Sequence, residues 1–375
     1  MRPLFVATHA VADHWGLAAK ACLERLAGVI GRANLGFLYV TEPFAADLPS
    51  ILTFLRETTR VESWVGAAVP GLCAGSQEIR GGSAMAVMLG HVPEGAFRLF
   101  SSTDAADFAP RLGGWAQASA PALALVHADP RQGGLPATLD SLAEGIGFLV
   151  GGLVASGDHP TQVADTVMPG ALSGLLVGGA VQAVTGLTQG CTPIGPTHIV
   201  TDGWGNVVAS LDGRPALEVF KAEAGELIAR DLARAAGYIH AALPVEGSDR
   251  GDYVVRNLIG LDPTHAWLVV ADEIRVGQRM LFVRRDPVAA QADLARMLDD
   301  VRRRLMGRVP LAALYVTCIG RGEHMFGERG AELSMVRESL GPAVPLIGFF
   351  ANGEISGQRL YAYTGVLTVL TGTAP

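Results

Sequence analysis

The chain has 375 residues, of which 49% are hydrophobic and 17% are charged, and its formal net charge is −7. This composition predicts a folded protein with one large domain or two, and it excludes a disordered chain. The excess of acidic residues provides no basic surface for a phosphate backbone, so nucleic acid is not expected as a partner.

The chain carries no strong cysteine motif, targeting signal or membrane span. The four cysteines are far apart and form no CxxC pair, so neither a zinc site nor a disulfide framework is predicted. The N-terminus lacks an apolar run with a small-residue cleavage site, which favours a cytoplasmic location. The stretch from Thr166 to Thr201 has no Asp, Glu, Lys or Arg, but Pro, Gly and alternating polar residues interrupt it. We therefore expect buried strand there, in a hairpin, and not a membrane span.

Caps and periodicity predict two helices, one from Asp13 to Gly28 and one from Asp286-Pro287 to Gly307. Short apolar runs rich in β-branched and aromatic residues predict strands. These runs are Leu35–Thr41, Met85–Leu89, Leu123–His127, His198–Thr201, Val207–Leu211, Trp267–Val270, Leu281–Arg284, Leu311–Thr317 and Tyr361–Leu370. The segment Asp202–Asn206 predicts a hairpin turn, because Gly and Asn accept a positive φ.

Comparison of the chain with itself finds a repeated pattern of strand, helix and glycine-marked strand. Leu38–Thr41 and Leu314–Thr317 share the sequence Leu-Tyr-Val-Thr, and each leads through a helical segment to a strand that carries Gly66 or Gly348. A third, weaker copy leads to Gly151. The pattern predicts an α/β (α+β) fold of mixed β-sheets flanked by helices, with two related halves and an internal βαβ-like duplication. Ligands are expected at the glycine-marked strand ends.

Most catalytic signatures are absent, since the chain has no Walker A, GxGxxG, HExxH or GxSxG motif. The segment Gly71–Gly75 resembles a nucleophile elbow carrying the Cys73 thiol, with His127 or His324 as a candidate base. A small buried cysteine in a glycine turn is the simpler interpretation. The histidines are scattered singly, which predicts no metal cluster but leaves a lone axial ligand open. The candidates for that role are His9, His91, His127, His159, His198 and His324.

Polar residues at the glycine turns carry the binding prediction. Asn352-Gly353-Glu354 follows a buried strand, where a carboxylate is costly unless it is paired or used. Arg256 lies in an apolar strand with no carboxylate next to it in sequence, which is typical of a carboxylate clamp. The alternative is an internal salt bridge from Arg256 to Glu354 or Asp262. Gln189 begins a polar turn within the uncharged stretch.

Six short segments, taken in order, resemble the FIST (F-box and intracellular signal transduction) sensory proteins. They are Gly151–Gly157, Gln189–Pro196, Leu211–Leu217, Val255–Pro263, Arg285–Asp286 and Gly348–Ile355. The resemblance implies an N-terminal FIST domain over residues 1–214 and a C-terminal FIST domain over residues 215–375. It also implies a cytoplasmic, non-catalytic sensor of a small ligand such as an amino acid or a related metabolite. One branch of the family is associated with haem and nitric oxide sensing.

We therefore expect a free-standing sensory protein that signals through a separate protein, such as a histidine kinase or a cyclic-dinucleotide enzyme, and that is not an enzyme itself. Arg256 is expected to hold the carboxylate of the ligand and Glu354 its ammonium. The complete set of expected ligand-binding residues is Arg256, Glu354, Asn352, Gln189, Cys191 and Arg214. A haem-binding nitric oxide sensor and a hydrolase that uses Cys73 are the two alternatives.

Overall fold

The computed structural model describes residues 5–102, 114–115, 117–119, 123–154, 161–169, 172–225, 238–247 and 252–372. The chain divides into two compact units. Unit 1 is Met1–Thr188 with Gln291–Pro375, and unit 2 is Gln189–Ala290. The domain boundary expected at residue 214 therefore lies inside unit 2, because residues 189–290 interrupt the sequence of unit 1.

Unit 1 contains three six-stranded sheets with one common strand order. The first sheet is, in spatial order, β1 (Phe5–Val11), β6 (Ala84–Gly90), β2 (Leu35–Thr41), β3 (Ser63–Val69), β10 (Thr161–Ala164) and β11 (Thr166–Pro169). The second is β7 (Phe97–Ser102), β12 (Leu172–Val177), β8 (Leu123–Ala128), β9 (Phe148–Leu153), β25 (Glu354–Ser356) and β26 (Arg359–Tyr361). The third is β13 (Val181–Thr188), β27 (Gly365–Gly372), β23 (Pro310–Cys318), β24 (Leu346–Ala351), β4 (Gly71–Ala74) and β5 (Gln77–Arg80).

Each sheet is built around one parallel pair of strands, and its other pairs are antiparallel. A helical crossover joins the two parallel strands, as βαβ geometry requires. The crossovers are α2 (Leu48–Thr59), α3 (Leu135–Ile146), and α6 (Glu323–Phe326) followed by α7 (Ala331–Leu340). The hairpin after each pair leaves its own sheet: β4–β5 joins the third sheet, β10–β11 the first and β25–β26 the second. The three sheets are thus linked in a cycle.

Glycines mark the same place in each parallel pair. A Cβ on Gly66, Gly151 or Gly348 would lie no more than 2.0 Å from the carbonyl oxygen of the residue paired with it. Only glycine fits such a close approach of backbones. Gly66 pairs with Leu38 and Gly348 pairs with Tyr315, so the shared tetrapeptide is one residue out of register between the two copies. Because of this shift, the side chains of corresponding residues in the two tetrapeptides lie on opposite faces of their sheets.

The three sheets share one apolar core, and helices cover their other faces. Residues from all three sheets form a single buried cluster. Helix α1 (Trp15–Leu26) and α2 pack on the first sheet, and α3 packs on the second. Each helix presents apolar residues at a spacing of three and four to its sheet, so burial of that stripe stabilises it more than its intrinsic propensity does.

The two helices predicted from caps are present, with one correction. The N-cap of α1 is His14, whose Nδ1 accepts the N–H of Gly16 at 3.0 Å, and not Asp13. Helix α5 (Pro287–Leu305) begins as predicted, because Asp286 Oδ1 accepts the N–H of Ala289 at 3.0 Å.

Unit 2 is built on one nine-stranded sheet and helix α4 (Ala216–Ala224), which enclose their own core. Its main path is β19 (Tyr253–Arg256), β18 (Ile239–Pro244), β22 (Arg279–Arg285), β15 (His198–Trp204), β16 (Val207–Leu211), β21 (Trp267–Val270) and β20 (Leu258–Asp262). Strand β14 (Cys191–Pro193) pairs with β22, and β17 (Arg214–Pro215) pairs with β16. The predicted hairpin is confirmed, because Trp204 pairs with Val207 across a turn in which Gly205 has a φ of +54°.

A buried histidine with two carboxylate partners lies in unit 2. His198 Nδ1 is 2.6 Å from Asp212 Oδ2, and His198 Nε2 is 2.6 Å from Glu223 Oε1. Burial lowers the pKa of His198, but the two hydrogen-bonded carboxylates raise it by more, so the net change is upward. The imidazolium therefore connects β15 to the turn after β16 and to α4.

Most of the uncharged stretch is strand, from β11 to the start of β15, with short turns and irregular segments between the strands. Residues 170 and 171 lie outside the described part. The expected single hairpin is wrong: β12 pairs with β7 and β8, whereas β13 pairs with β27 in another sheet. Within the described residues, no helix has both the length and the apolar character needed to cross a bilayer. The predicted strand Tyr361–Leu370 is interrupted, because β26 ends at Tyr361 and β27 begins at Gly365.

Candidate functional site

Charged side chains are buried at the carboxyl ends of β23 and β24, the edge of a parallel pair at which α/β folds bind ligands. Arg321 comes from the loop after β23, and Glu332 from the first turn of α7. Strand β5 contributes Glu78 and Arg80, and Glu354 begins β25. We call these five residues the arginine–carboxylate cluster. All five lie in unit 1.

The centre of the cluster is a buried ion pair between Arg321 and Glu332, which are 1% and 0% exposed. Arg321 Nε lies 2.8 Å from Glu332 Oε1, and the same oxygen accepts the hydroxyl of Tyr315 at 2.6 Å. Burial lowers the pKa of Arg321, but the charge and hydrogen bond of Glu332, together with Tyr315 and Glu354, raise it by more, so the guanidinium stays protonated. Among the described residues, Arg321 Nη2 and Glu332 Oε2 have no hydrogen-bond partner. The pair therefore has one donor and one acceptor left over.

Glu354 is a buried carboxyl that holds its proton near neutral pH. Its Oε2 accepts the N–H of Thr364 at 3.1 Å and the hydroxyl of Thr364 at 2.8 Å. Burial raises the pKa of Glu354 to about 8, although the Thr364 bonds and the Arg321 charge oppose that shift. Its Oε1 has no partner within the described part of the chain. This group can accept a hydrogen bond when ionised and donate one when protonated.

Arg80 fixes the loop that carries Arg321. Its Nη1 donates to the carbonyl of Ile319 at 2.9 Å and its Nη2 to the carbonyl of Arg321 at 2.8 Å. The guanidinium also lies over the Phe350 ring, 3.8 Å from its centroid. A Cβ on Gly322, whose φ is +89°, would collide with this guanidinium, so glycine is needed there.

Glu78 completes the cluster as a second acidic side chain with a raised pKa. It is 6% exposed, and burial together with the Glu332 charge raises the pKa of Glu78. Its Oε1 has no partner among the described residues. The cluster therefore offers two guanidinium donors, Arg80 Nε and Arg321 Nη2, and three carboxyl oxygens that no described group satisfies. Buried polar atoms of this kind are rare in folded proteins.

The residues predicted from the sequence are divided between the two units. Glu354 belongs to the cluster, and Asn352 is exposed on the turn before it. The four others lie in unit 2. Gln189 Nε2 donates to the carbonyl of Tyr253 at 2.7 Å, and the carbonyl of Cys191 accepts the hydroxyl of Tyr253 at 2.5 Å. Arg214 is exposed in β17.

Arg256 forms a salt bridge that the sequence did not suggest. Its Nε lies 2.6 Å from Asp272 Oδ2, a partner other than the two considered for it, Glu354 and Asp262. Asp272 is 16 residues away along the chain and is brought to Arg256 by the fold. A guanidinium with its own carboxylate is a weak candidate for a ligand clamp, because the ligand must compete with Asp272.

Sequence reasoning missed Arg321 and Glu332. A usable signal was present, since Gly320-Arg321-Gly322 places a charged residue in a glycine turn directly after a buried strand. Asn352-Gly353-Glu354 was selected by the same criterion. Glu332 gave no such signal, because it lies in an amphipathic helix where a glutamate is ordinarily exposed.

The Cys73 alternative finds no support in the geometry. Cys73 is fully buried, and burial and the nearby Glu78 and Glu332 charges raise the pKa of its thiol well above the ordinary value. A catalytic cysteine needs the opposite shift and access to substrate. Of the two candidate bases, His127 bonds to the Tyr39 hydroxyl at 2.9 Å and His324 is exposed.

Of the histidines considered as an axial haem ligand, the two that are buried, His198 and His127, do not fit that role. Both ring nitrogens of His198 are bonded to carboxylates. His127 is enclosed by the Tyr39 and Phe349 rings, whose centroids are 5.5 and 5.6 Å away, and burial lowers the pKa of His127 to about 3. His159 and residues 155–157 of the first resembling segment lie outside the described residues. No group of three or more His, Cys, Asp or Glu in the described ranges could hold a metal ion.

Comparison with known proteins gives consistent matches along the chain. A family model described as the FIST N domain matches residues 34–214, and one described as the FIST C domain matches residues 216–357. The chain is 30% identical over 361 residues to "Uncharacterized protein Rv0628c" of Mycobacterium tuberculosis strain H37Rv, and the alignment covers 90% of each chain. It is 34% identical over 216 residues to "Uncharacterized protein Mb0898c" of Mycobacterium bovis, which covers 55% of each. Because the two family matches cover most of its length, the chain belongs to the FIST family of signal-transduction sensory domains.

Proposed function

We propose that this protein is a cytoplasmic sensor that binds a small zwitterion, an amino acid or a related metabolite, at the arginine–carboxylate cluster. The observation that carries the proposal is the set of buried unsatisfied polar atoms, Arg321 Nη2 beside the carboxyl oxygens of Glu332 and Glu354. A ligand with one carboxylate and one ammonium complements both signs of charge. Arg321 takes the role that the sequence assigned to Arg256.

Each group has a defined role in this proposal. Arg321 Nη2 donates to the ligand carboxylate, and the ammonium donates to the free oxygen of Glu354. A hydrogen bond to a charged group contributes about 1.5–3 kcal/mol, so two correspond to a dissociation constant from the millimolar range to tens of micromolar. That range suits a sensor of a metabolite, which has to release its ligand when the concentration falls.

Ligand binding and the proton of Glu354 are coupled in this scheme. An ammonium is held better by the ionised carboxylate, but the pKa of Glu354 is raised to about 8 by burial. Below that pH, binding has to displace the proton. We therefore expect ligand affinity to rise with pH up to about 8, and proton release to accompany binding.

The Arg321 loop is the element through which occupancy would reach a partner. Arg80 holds two carbonyls of this loop, and Glu332 connects it to α7. A ligand that favours one loop arrangement over another shifts the population of that arrangement by its difference in affinity. The output belongs to a separate signalling protein, such as a histidine kinase or a cyclic-dinucleotide enzyme.

The test is a comparison of ligand binding in Glu354→Gln and Glu323→Gln. Glu323 is an exposed glutamate in α6 that pairs with the surface residue Arg329 at 3.6 Å, and it serves as the matched control. Amino acids are screened individually by thermal shift, and hits are measured by titration calorimetry. We expect Glu354→Gln to lose binding and Glu323→Gln to retain it. Equal affinity in the two variants, or no binding of any amino acid in the screen, refutes the proposal.

A further inference from the structure

Unit 1 has a cleft of about 440 Å³ that shares no lining residue with the arginine–carboxylate cluster. Its sides are the edge strand β1, the turn between β4 and β5, and the segment 342–346 that precedes β24. We call it the β1 cleft. Its volume is in the range of pockets that hold small molecules.

The lining of the β1 cleft is basic. Arg25 from α1 and Arg337 from α7 both line it together with His9, and its lining residues include no Asp or Glu. Arg25 Nη1 donates to the carbonyl of His9 at 2.7 Å, and Arg337 Nη2 donates to the carbonyl of Pro342 at 3.3 Å. Neither guanidinium forms an ion pair within the described part of the chain. Each has five N–H donors, so most remain for a ligand.

The repeated strand order provides an internal comparison. The corresponding cleft beside the edge strand β7 and the β10–β11 hairpin has about 480 Å³ and a mixed lining. There Arg60 and Arg98 face three acidic residues, and one of these, Asp165, pairs with Arg56 at 3.7 Å. Two clefts at equivalent places in the fold therefore differ in charge. The basic lining of the β1 cleft is therefore a property of its own residues and is not imposed by the fold.

We propose that the β1 cleft binds the oxyanion group of a small molecule, a carboxylate or a phosphate, between Arg25 and Arg337. Guanidinium groups recognise both anions through paired N–H donors. His9 and Gln77 are hydrogen-bonded to each other, with His9 Nε2 2.9 Å from Gln77 Oε1, and they add polar groups to the same side of the cleft. The site is separate from the one in the proposed function and does not depend on it.

Titration calorimetry at low ionic strength tests the site with succinate and inorganic phosphate as probes and uncharged succinamide as the control. We expect at least one anion to bind and succinamide not to bind. Arg25→Gln and Arg337→Gln should each weaken binding by about tenfold or more, the share of one charge-assisted hydrogen bond. Arg98→Gln, in the equivalent cleft, is the matched control and should change nothing. A preference between succinate and phosphate identifies the group that the site selects.

Two additional variants keep the result decisive. Arg337→Lys preserves the charge and should bind better than Arg337→Gln, which separates loss of charge from loss of the Pro342 contact. Glu354→Gln should bind the anion with unchanged affinity, because it alters only the arginine–carboxylate cluster. The proposal is overturned if neither anion binds at about 10 mM, if the double variant Arg25→Gln/Arg337→Gln binds as the original does, or if Glu354→Gln removes the binding.

Discussion

Replacing Glu354 by Gln should make the protein more stable at pH 8, although the residue is fully buried and hydrogen-bonded. Burial raises the pKa of Glu354 from about 4.5 to about 8. Between these two values the unfolded chain has released this proton and the folded chain has kept it. The folded state then binds more protons, so the free energy of unfolding falls as the pH rises.

The size of the effect follows from the width of that pH window. Each pH unit corresponds to about 1.4 kcal/mol, so three and a half units correspond to about 5 kcal/mol lost between pH 4.5 and pH 8. Glutamine has nearly the same shape and can keep its carbonyl oxygen on Thr364, but it does not titrate. At the acidic end of the window the two proteins should therefore differ by no more than about 1 kcal/mol.

Urea unfolding of the original protein, Glu354→Gln and the control Glu323→Gln across the window from about pH 5 to pH 8 measures the difference. The original and the control should lose stability as pH rises, whereas Glu354→Gln should lose several kcal/mol less. Parallel curves for all three proteins would show that Glu354 is ionised in the folded state, and the reasoning from burial would be wrong.

Three other predictions concern stability. Gly348→Ala should cost more than about 3 kcal/mol, because its Cβ would collide with a carbonyl oxygen of the paired strand, whereas Gly28→Ala, with open space around it, should be nearly neutral by thermal melting. Glu332→Gln should cost about 3–5 kcal/mol in urea unfolding because it leaves the buried guanidinium uncompensated, and the exposed Glu338→Gln in the same helix should cost little; equal costs would contradict a buried ion pair. The pKa of His198 is raised above 6.5, so its stabilisation of unit 2 is full below that pH and is lost as pH rises through the raised value. Melting curves from acidic to alkaline pH should show this loss in the original protein and not in His198→Asn.

Most of the secondary structure could be predicted from the sequence, because hydrophobic periodicity and helix caps are properties of short segments. Strands Leu35–Thr41, Val207–Leu211 and Trp267–Val270 have the predicted bounds, and α5 starts at its Asp-Pro cap. The end of β26 was missed because Tyr363 and Thr364 favour strands in sequence, whereas the backbone N–H of Thr364 donates to the Glu354 carboxyl instead of to a neighbouring strand. This hydrogen bond cannot be predicted from the sequence, because only the tertiary structure brings Glu354 and Thr364 together.

The candidate site was predictable only in part. A carboxylate after a glycine turn at the end of a buried strand signalled Glu354, because burying a charge has a cost that sequence alone reveals. Its partners were not predictable in the same way. Arg256 is bonded to Asp272, and the buried guanidinium of the cluster is Arg321. Which charges meet depends on the crossing of chain segments that are far apart in sequence.

The sequence by itself determined the fold class, the family and the glycine-marked parallel strands, because each is written in short runs of residues whose backbone requirements are local. The repeated pattern selected Gly66, Gly151 and Gly348 from the sequence, and the close contact of their backbones with the paired strand explains why each must be glycine. Only the tertiary structure decided that the strand order occurs three times, that each hairpin joins another sheet, and that residues 189–290 form a unit of their own. These features depend on hydrogen bonds between strands tens to hundreds of residues apart, and such pairings leave no periodic signal in one sequence.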